Sequence, residues 1–118
     1  MKERRFFIPA EQIDPSVAPG RGSCIATDLI TMHGRRVGFM YREEPDHRVD
    51  SGWRFFAGTE SQTYADDADN MTIYDVNTIA NYDRDIVVLL DAPCGSAFER
   101  DSESGVFKPT LFPDEADA

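Results

Sequence analysis

Four side chains in this sequence are of the types that bind zinc, two cysteines and two histidines. A structural zinc site needs four nitrogen, sulfur or carboxylate ligands that converge in a tetrahedron. The four candidates occur singly, without a Cys-x-x-Cys pair or other ligand-like spacing: Cys24, His33, His47 and Cys94. The sequence therefore predicts no metal and no other cofactor, and two reduced, partly buried thiols in place of a disulfide.

The carboxylates of the chain are plentiful, but their arrangement does not favour acid–base catalysis. That chemistry needs two carboxylates in different environments, whereas Glu43, Glu44, Asp46 and Asp50 share one charged loop, Arg42–Gly52. The chain also lacks the Gly-x-Ser-x-Gly nucleophile elbow, the P-loop and the dinucleotide glycine fingerprint. These observations predict a protein that is not an enzyme.

A second group of carboxylates, Asp66, Asp67 and Asp69, resembles a calcium-binding loop only superficially. An EF-hand loop requires alternating ligands and a glycine at its sixth position, whereas counting from Asp67 places Thr72 there. We interpret this group as a solvated acidic turn. The acidic stretch Thr59–Asp75, which contains this group, and the loop Arg42–Gly52 are the surfaces that we expect a partner to contact.

Two arginines flank the loop at the ends of the strands that it connects. Strand alternation is expected to place Arg42 and Arg54 together on one face of the sheet, with the side chains of Tyr41 and Trp53 on the other face. There they are able to hold the loop by pairing with its carboxylates, and a plain solvated ion pair is the alternative.

Two amides lie one helical turn apart, after a tyrosine. Asn77 and Asn81 share a helix face although Asn is a weak helix former, so we expect them to bind neighbouring backbone. The alternative is a ligand, held in a pocket near Arg54, Tyr74 and Asn77 of a small-molecule-binding or enzymatic domain.

The charge of this 118-residue chain is divided unevenly between its halves. Residues 1–58 carry a net charge of +1 and residues 59–118 carry −11, for a total of −10. An acidic half repels nucleic acid and suits a basic protein partner. No apolar run is long enough to cross a membrane, and the charged N-terminus lacks the hydrophobic region of a signal peptide, so a cytoplasmic protein is expected.

The elements that position these residues are predicted from hydrophobic periodicity and turn residues. We expect an extended N-terminal arm (1–22), a single α+β domain (23–101) and a loosely docked or disordered acidic tail (102–118). The predicted strands are Ser23–Ala26, Arg36–Arg42 after a His33-Gly34 hairpin turn, Gly52–Ala57 and Ser96–Glu99. A helix is predicted over Val76–Tyr82 with Asp75 as its N-cap. For Ile86–Leu90 two structures are predicted as alternatives, either a second helix capped by Asp85 or a buried strand. For Ser61–Ala68 the alternatives are a helical turn and a loop.

The predicted fold is α+β, an antiparallel sheet of about four or five strands with one or two short helices on one side. Its core is expected to contain Trp53, Phe55, Phe39, Tyr41, Ile25, Ile79, Leu89 and Phe98.

Several motifs together resemble a small bacterial family of unknown function that is grouped with the predicted immunity proteins of polymorphic toxin systems. They span about two-thirds of the chain and are Ser23–Ile25, Val37–Glu43, Asp50–Phe56, Tyr74–Asp83 and Gly95–Arg100. The resemblance implies no cofactor and no catalytic residues. It implies a non-catalytic domain that neutralises a toxin by covering its surface.

Overall fold

The computed structural model describes residues 5–113. Within them, six strands form one mixed sheet with the spatial order β4-β1-β3-β2-β5-β6. The strands are β1 (Ser23–Thr27), β2 (Phe39–Arg42), β3 (Asp50–Phe56), β4 (Met71–Asp75), β5 (Ala97–Arg100) and β6 (Phe107–Pro109). The α-helices are α1 (Asp28–Thr31), α2 (Gln62–Asp66) and α3 (Val76–Tyr82), and 3₁₀ helices cover Ala10–Gln12, Ala68–Asn70 and Arg84–Leu89.

The sheet is mixed because β1 runs parallel to β3 and antiparallel to β4. The α+β class is confirmed, but the predicted antiparallel sheet of four or five strands is wrong in both strand number and direction. The expected hairpin turn at His33-Gly34 is the end of helix α1, where the Gly34 N–H donates to the carbonyl of Ile30 (3.0 Å). Gly34 has φ +73°, the usual geometry of a residue that ends a helix. The chain then crosses to the far side of β3, so β1 and β2 are not neighbours.

Strand β2 begins three residues later than predicted, and this reverses which of its side chains face the core. Val37 is fully buried, but it precedes the strand and lies in an irregular segment. Its backbone N–H donates to Asp83 Oδ2 (3.0 Å) and not to a neighbouring strand. Regular alternation starts only at Phe39, so Met40 is the fully buried residue of β2. Phe39 and Tyr41, predicted core residues, are half-buried on the opposite face of the sheet.

The core lies between the sheet and the helices α1, α3 and Arg84–Leu89. Trp53 and Phe55 are stacked there at a centroid distance of 6.0 Å, and the Trp53 indole N–H donates to the carbonyl of Leu90 (3.2 Å). Of the eight predicted core residues, Trp53, Phe55 and Ile79 are buried. The others are only half-buried: Leu89 and Phe98 against the core, and Ile25, Phe39 and Tyr41 on the opposite sheet face.

The two helix predictions after β4 differ in outcome. Helix α3 has the predicted bounds, and Asp75 caps it by accepting the Asn77 N–H (3.1 Å). The run Ile86–Leu90 is largely helical, in a 3₁₀ helix that starts at Arg84. The predicted cap Asp85 is wrong, because Asp83 accepts the Asp85 N–H (3.1 Å).

Both terminal segments contact the sheet or its helices. The described part of the N-terminal arm, residues 5–22, runs along the helices and buries Ala18. In the predicted tail, Phe107–Pro109 forms β6, which pairs antiparallel with β5 at the edge of the sheet. Positions 1–4 and 114–118, which belong to the predicted arm and tail, lie outside the described residues.

The buried indole gives a direct test of this core. Trp53 is 1% exposed, so Trp53→Ala is expected to lower the free energy of unfolding by about 3–5 kcal/mol in urea denaturation. Val88, which is 86% exposed, supplies the control: Val88→Ala is expected to change the same quantity by less than about 0.5 kcal/mol. A Trp53→Ala protein as stable as the parent would contradict the core.

Candidate functional site

The face of the sheet opposite the core carries the candidate site, and we call it the open face. Its membership follows from the strand register, in which Ile25 lies opposite Arg54 and Arg54 opposite Tyr41. The next row places Phe56 opposite Phe39 and Phe39 opposite Glu99. Residues 43–49 lie at one end of this face and α2 at the other, because β3 begins at Asp50 and ends at Phe56.

A buried arginine lies at the centre of the open face. The Arg54 side chain is 3% exposed and binds Asp50 through two parallel hydrogen bonds, Nη1 to Oδ1 (2.9 Å) and Nη2 to Oδ2 (2.7 Å). Its Nε donates to Glu43 Oε2 (2.5 Å), and Asp46 Oδ2 lies 3.5 Å from Nη2. One positive charge thus meets three carboxylates, which leaves the cluster negative overall.

The ionisation of this cluster follows from its contacts. Hydrogen bonds from Arg54 hold the pKa of Asp50 well below its usual range, and the backbone N–H groups of Asp46 and Gly52 act in the same direction. Burial on its own would lower the pKa of Arg54, but the bonds to Asp50 and Glu43 outweigh it, and the net shift is upward. Both partners therefore remain charged.

The cluster around Arg54 holds the β2–β3 loop. The sequence predicted this role for both Arg42 and Arg54. Asp50 Oδ2 also accepts the Asp46 N–H (2.9 Å), and Asp50 Oδ1 accepts the Gly52 N–H (3.0 Å). Gly52 has φ +89°, and a Cβ there would collide with the carbonyl oxygen of Glu43. The hairpin closes this tightly only with glycine at that position.

Arg42, the second arginine, is on the other face, and the expectation that it shares a face with Arg54 is wrong. Its guanidinium lies over the Trp53 ring at 5.7 Å, since Arg42 and Trp53 are cross-strand partners. It donates to the carbonyl oxygens of Ser51 (2.9 Å) and Ala92 (2.8 Å). Arg42 therefore holds backbone on the helix side and does not contribute to the open face.

The amides of α3 bind backbone, as predicted. Asn77 Oδ1 accepts the Ala18 N–H (2.7 Å), and its Nδ2 donates to the Asp14 carbonyl (2.9 Å). Asn81 Oδ1 accepts the Asp14 N–H (2.9 Å). The two amides attach the N-terminal arm to α3, which commits their hydrogen-bonding groups.

The alternative pocket near Arg54, Tyr74 and Asn77 is not formed. Tyr74 lies on the helix side, in edge-to-face contact with Phe6 (6.0 Å), and its hydroxyl is 3.0 Å from Thr31 Oγ1. It lines an apolar cavity of about 280 Å³ under the arm. Arg54 lines a separate cavity of about 80 Å³ on the open face. The sheet separates Arg54 from Tyr74 and Asn77, which both lie on the helix side.

The acidic turn lies at the α2 end of the open face. Asp66, Asp67 and Asp69 are exposed, in α2 and the 3₁₀ helix after it. Asp66 accepts a hydrogen bond from Gln62 (2.8 Å) and Asp67 accepts the Asp69 N–H (2.9 Å). No lysine or arginine occurs between Arg54 and Arg84, so the segment that contains this turn has no positive side chain of its own.

An aromatic patch between the two acidic ends was missed by the sequence analysis. Phe39, Tyr41 and Phe56 have mutual centroid distances of 5.7 to 5.9 Å, and Phe112 meets Tyr41 edge-on at 5.4 Å. The signal was present in the alternation of β3, where Phe56 is out of phase with Trp53 and Phe55. It was obscured by the wrong phase for β2.

The residues considered for metal binding are dispersed. Within residues 5–113, no three His, Cys, Asp or Glu side chains are grouped as a metal site. Both cysteines are free, Cys24 buried and Cys94 exposed, which corrects the expectation that both are partly buried. Burial raises the pKa of the Cys24 thiol, which disfavours the reactive thiolate. In the same part of the chain, no helix has the length and apolar character to span a membrane.

These features define a small α+β protein with one covered sheet face and one open, acidic and aromatic face. The immunity protein Imm33 domain family matches residues 24–110, and the chain belongs to this family. The resemblance inferred from the sequence motifs is thereby confirmed. The matched region contains β2 through β6 and nearly all of β1, but not the N-terminal arm. No curated protein and no solved structure matches the chain.

Breaking the buried ion pair is expected to be costly and to change the response to acid. Asp50→Asn replaces one of the three carboxylates around Arg54 by a neutral amide and leaves Glu43 and Asp46 in place, for an expected loss of about 1.5–3 kcal/mol of unfolding free energy at pH 7. The lowered pKa of Asp50 means that its contribution is fully present above the unfolded-state pKa of about 3.9 and is lost as pH falls below it. The parent should therefore lose more stability than the variant between pH 7 and pH 3.

Urea unfolding at both pH values measures this difference. Glu44→Gln is the matched control, because it removes a carboxylate that is exposed in the same loop. It should leave stability at both pH values close to that of the parent. Equal acid sensitivity of Asp50→Asn and the parent would contradict the role given to Asp50.

Proposed function

We propose that this protein is a non-catalytic immunity protein of the bacterial cytoplasm that binds a basic protein toxin and inhibits it by covering its surface. Membership of the immunity protein Imm33 domain family supports a role in toxin immunity. The observation that carries the surface assignment is the open face, an apolar aromatic patch with acidic groups at both ends. Apolar centres with polar rims are typical of protein interfaces.

The chemistry of the open face favours binding over catalysis. Both carboxylate oxygens of Asp50 are engaged by Arg54, and its lowered pKa makes it a poor proton acceptor. The Cys24 thiol is 1% exposed and has a raised pKa, so it is a poor nucleophile. The alternative of a ligand-binding or enzymatic domain relied on a pocket shared by Arg54, Tyr74 and Asn77, but the sheet separates Arg54 from the other two.

The charge distribution favours a basic protein as the partner. The loop residues Glu43, Glu44 and Asp46 and the turn residues Asp66, Asp67 and Asp69 place negative charge at both ends of the open face. A field of one sign steers a partner of the opposite sign and accelerates encounter. The same field repels nucleic acid phosphates, so a nucleic acid ligand is not expected.

Recovery of the partner and its binding kinetics test this proposal. A pull-down from the native host is expected to recover a basic protein, and raising salt from low to physiological concentration should slow association much more than it accelerates dissociation. Changing Asp66, Asp67 and Asp69 together to Asn should lower the association rate and leave the melting temperature nearly unchanged. Asn also retains the capping role of Asp67.

The control is the double change Glu11→Gln and Asp91→Asn, two exposed carboxylates on the helix side. It should affect association much less than the triple change, because these charges are far from the open face. Retention of a small metabolite with no protein recovered would refute the proposal and favour the ligand-binding alternative.

A further inference from the structure

A groove on the open face lies between α2 and β5 and has a volume of about 560 Å³. Phe39 and Phe56, Ala65 of α2 and Glu99 of β5 line it. Residues 57–60 also belong to its lining. We call it the α2–β5 groove.

Among the described residues, two carboxylates border this groove, and the first of them makes no ion pair with another described residue. Glu99 is exposed and lies directly opposite Phe39 in the β2–β5 register. Its other cross-strand neighbour, Lys108, pairs instead with Asp101 at 3.5 Å. Within residues 5–113, Glu99 therefore makes no ion pair.

The second carboxylate is held rigidly by the chain. Glu60 accepts the N–H groups of Ala57 (2.7 Å) and Gly58 (2.9 Å) and the hydroxyl of Thr27 (2.7 Å). Because Glu60 lines the groove, it adds a fixed negative charge there. The position of this charge does not depend on a bound partner.

Arg100 is the cationic residue among the described residues that line the groove, and its charge is paired with carboxylates outside the groove. The Arg100 guanidinium binds Asp83 and Asp85 and lies over the Phe107 ring at 4.2 Å. Arg100 alternates with Glu99 along β5, so its charged end projects to the other face. The groove lining combines two phenylalanine rings with two carboxylates, Glu60 and Glu99, that make no ion pair within residues 5–113.

We propose that the α2–β5 groove binds an arginine side chain of the toxin partner, an inference that rests on the proposed function. A guanidinium is planar, stacks on aromatic rings and forms paired hydrogen bonds with a carboxylate. Phe39 and Phe56 supply the stacking surface and Glu99 supplies the carboxylate. If an apolar side chain covered the groove instead, the Glu99 carboxylate would lose contact with water and gain no partner, which costs free energy.

A short peptide probe tests this recognition without the toxin. The probe is acetyl-Gly-Arg-Gly-amide, and its control has citrulline, which has nearly the shape of arginine without its charge. In a ¹H–¹⁵N titration, the arginine peptide is expected to shift the amides of Gly38, Phe39, Gly58 and Glu99. The citrulline peptide should bind about tenfold more weakly or not at all.

Two variants locate the interaction. Glu99→Gln and Phe39→Leu should each weaken binding of the arginine peptide about fivefold or more. Glu103→Gln removes an exposed carboxylate from the turn beside the groove and should bind like the parent. Melting temperatures close to that of the parent establish that the variants are folded. Equal affinity for the two peptides, or shifts spread over the whole acidic surface, would overturn the inference.

The recovered partner separates this inference from the proposed function. If the triple aspartate change slows association but Glu99→Gln and Phe39→Leu bind the partner like the parent, the function stands and the groove assignment fails. If the arginine peptide binds in the groove but the pull-down recovers no protein, the groove stands as an arginine site and the immunity function fails.

Discussion

The buried ion pair between Arg54 and Asp50 is the constraint on which much of this structure depends. Both side chains are 3% exposed and both belong to β3, which lies between β1 and β2. A buried ion pair adds little net stability compared with apolar residues of similar volume, but each partner makes the other obligatory. A shift of β3 by one residue would turn Arg54 into the apolar core. The pair therefore sets the register of β3, and with it the faces of the neighbouring strands.

Strand β3 separates two surfaces with different purposes. Trp53 and Phe55 project into the core, while Arg54 and Phe56 project to the open face. The helix side is further covered by the N-terminal arm, which Asn77 holds through buried hydrogen bonds. Because these amides bind backbone of the same chain, they are not available to a partner on the helix side.

The parts of the fold that the sequence predicted are those determined by neighbouring residues. Helix α3 and its Asp75 cap follow from the pattern of a few consecutive residues. The loop carboxylates that bind Arg54 lie within eleven positions of it in the sequence. The phase of β2 could not be predicted, because Val37 is buried outside a regular strand and suggests the opposite alternation. That single error removed Phe39 and Tyr41 from the candidate site and placed Arg42 in it.

Other features depend on contacts that local patterns do not encode. The parallel pairing of β1 with β3 results from a crossing of the chain that no turn residue announces. Strand β4 lies at the edge of the sheet, and its Ile73 is 61% exposed. Its apolar residues therefore do not mark a buried strand. Strand β6 contains Pro109, which is tolerated because β6 is at an edge. The groove beside α2 likewise requires knowledge of where α2 packs.

The position of β1 in the sheet affects how the protein folds during its synthesis on the ribosome. The strand synthesised first is an inner one, and both of its partners come later, β3 from Asp50 and β4 from Met71. Because the pairings that bury β1 join distant parts of the chain, they form slowly compared with local structure. The sheet cannot be completed strand by strand as the polypeptide emerges, and the nascent chain must wait until most of its length has left the exit tunnel. During that interval the apolar segment Cys24–Ala26 is exposed to chaperones and to other nascent chains.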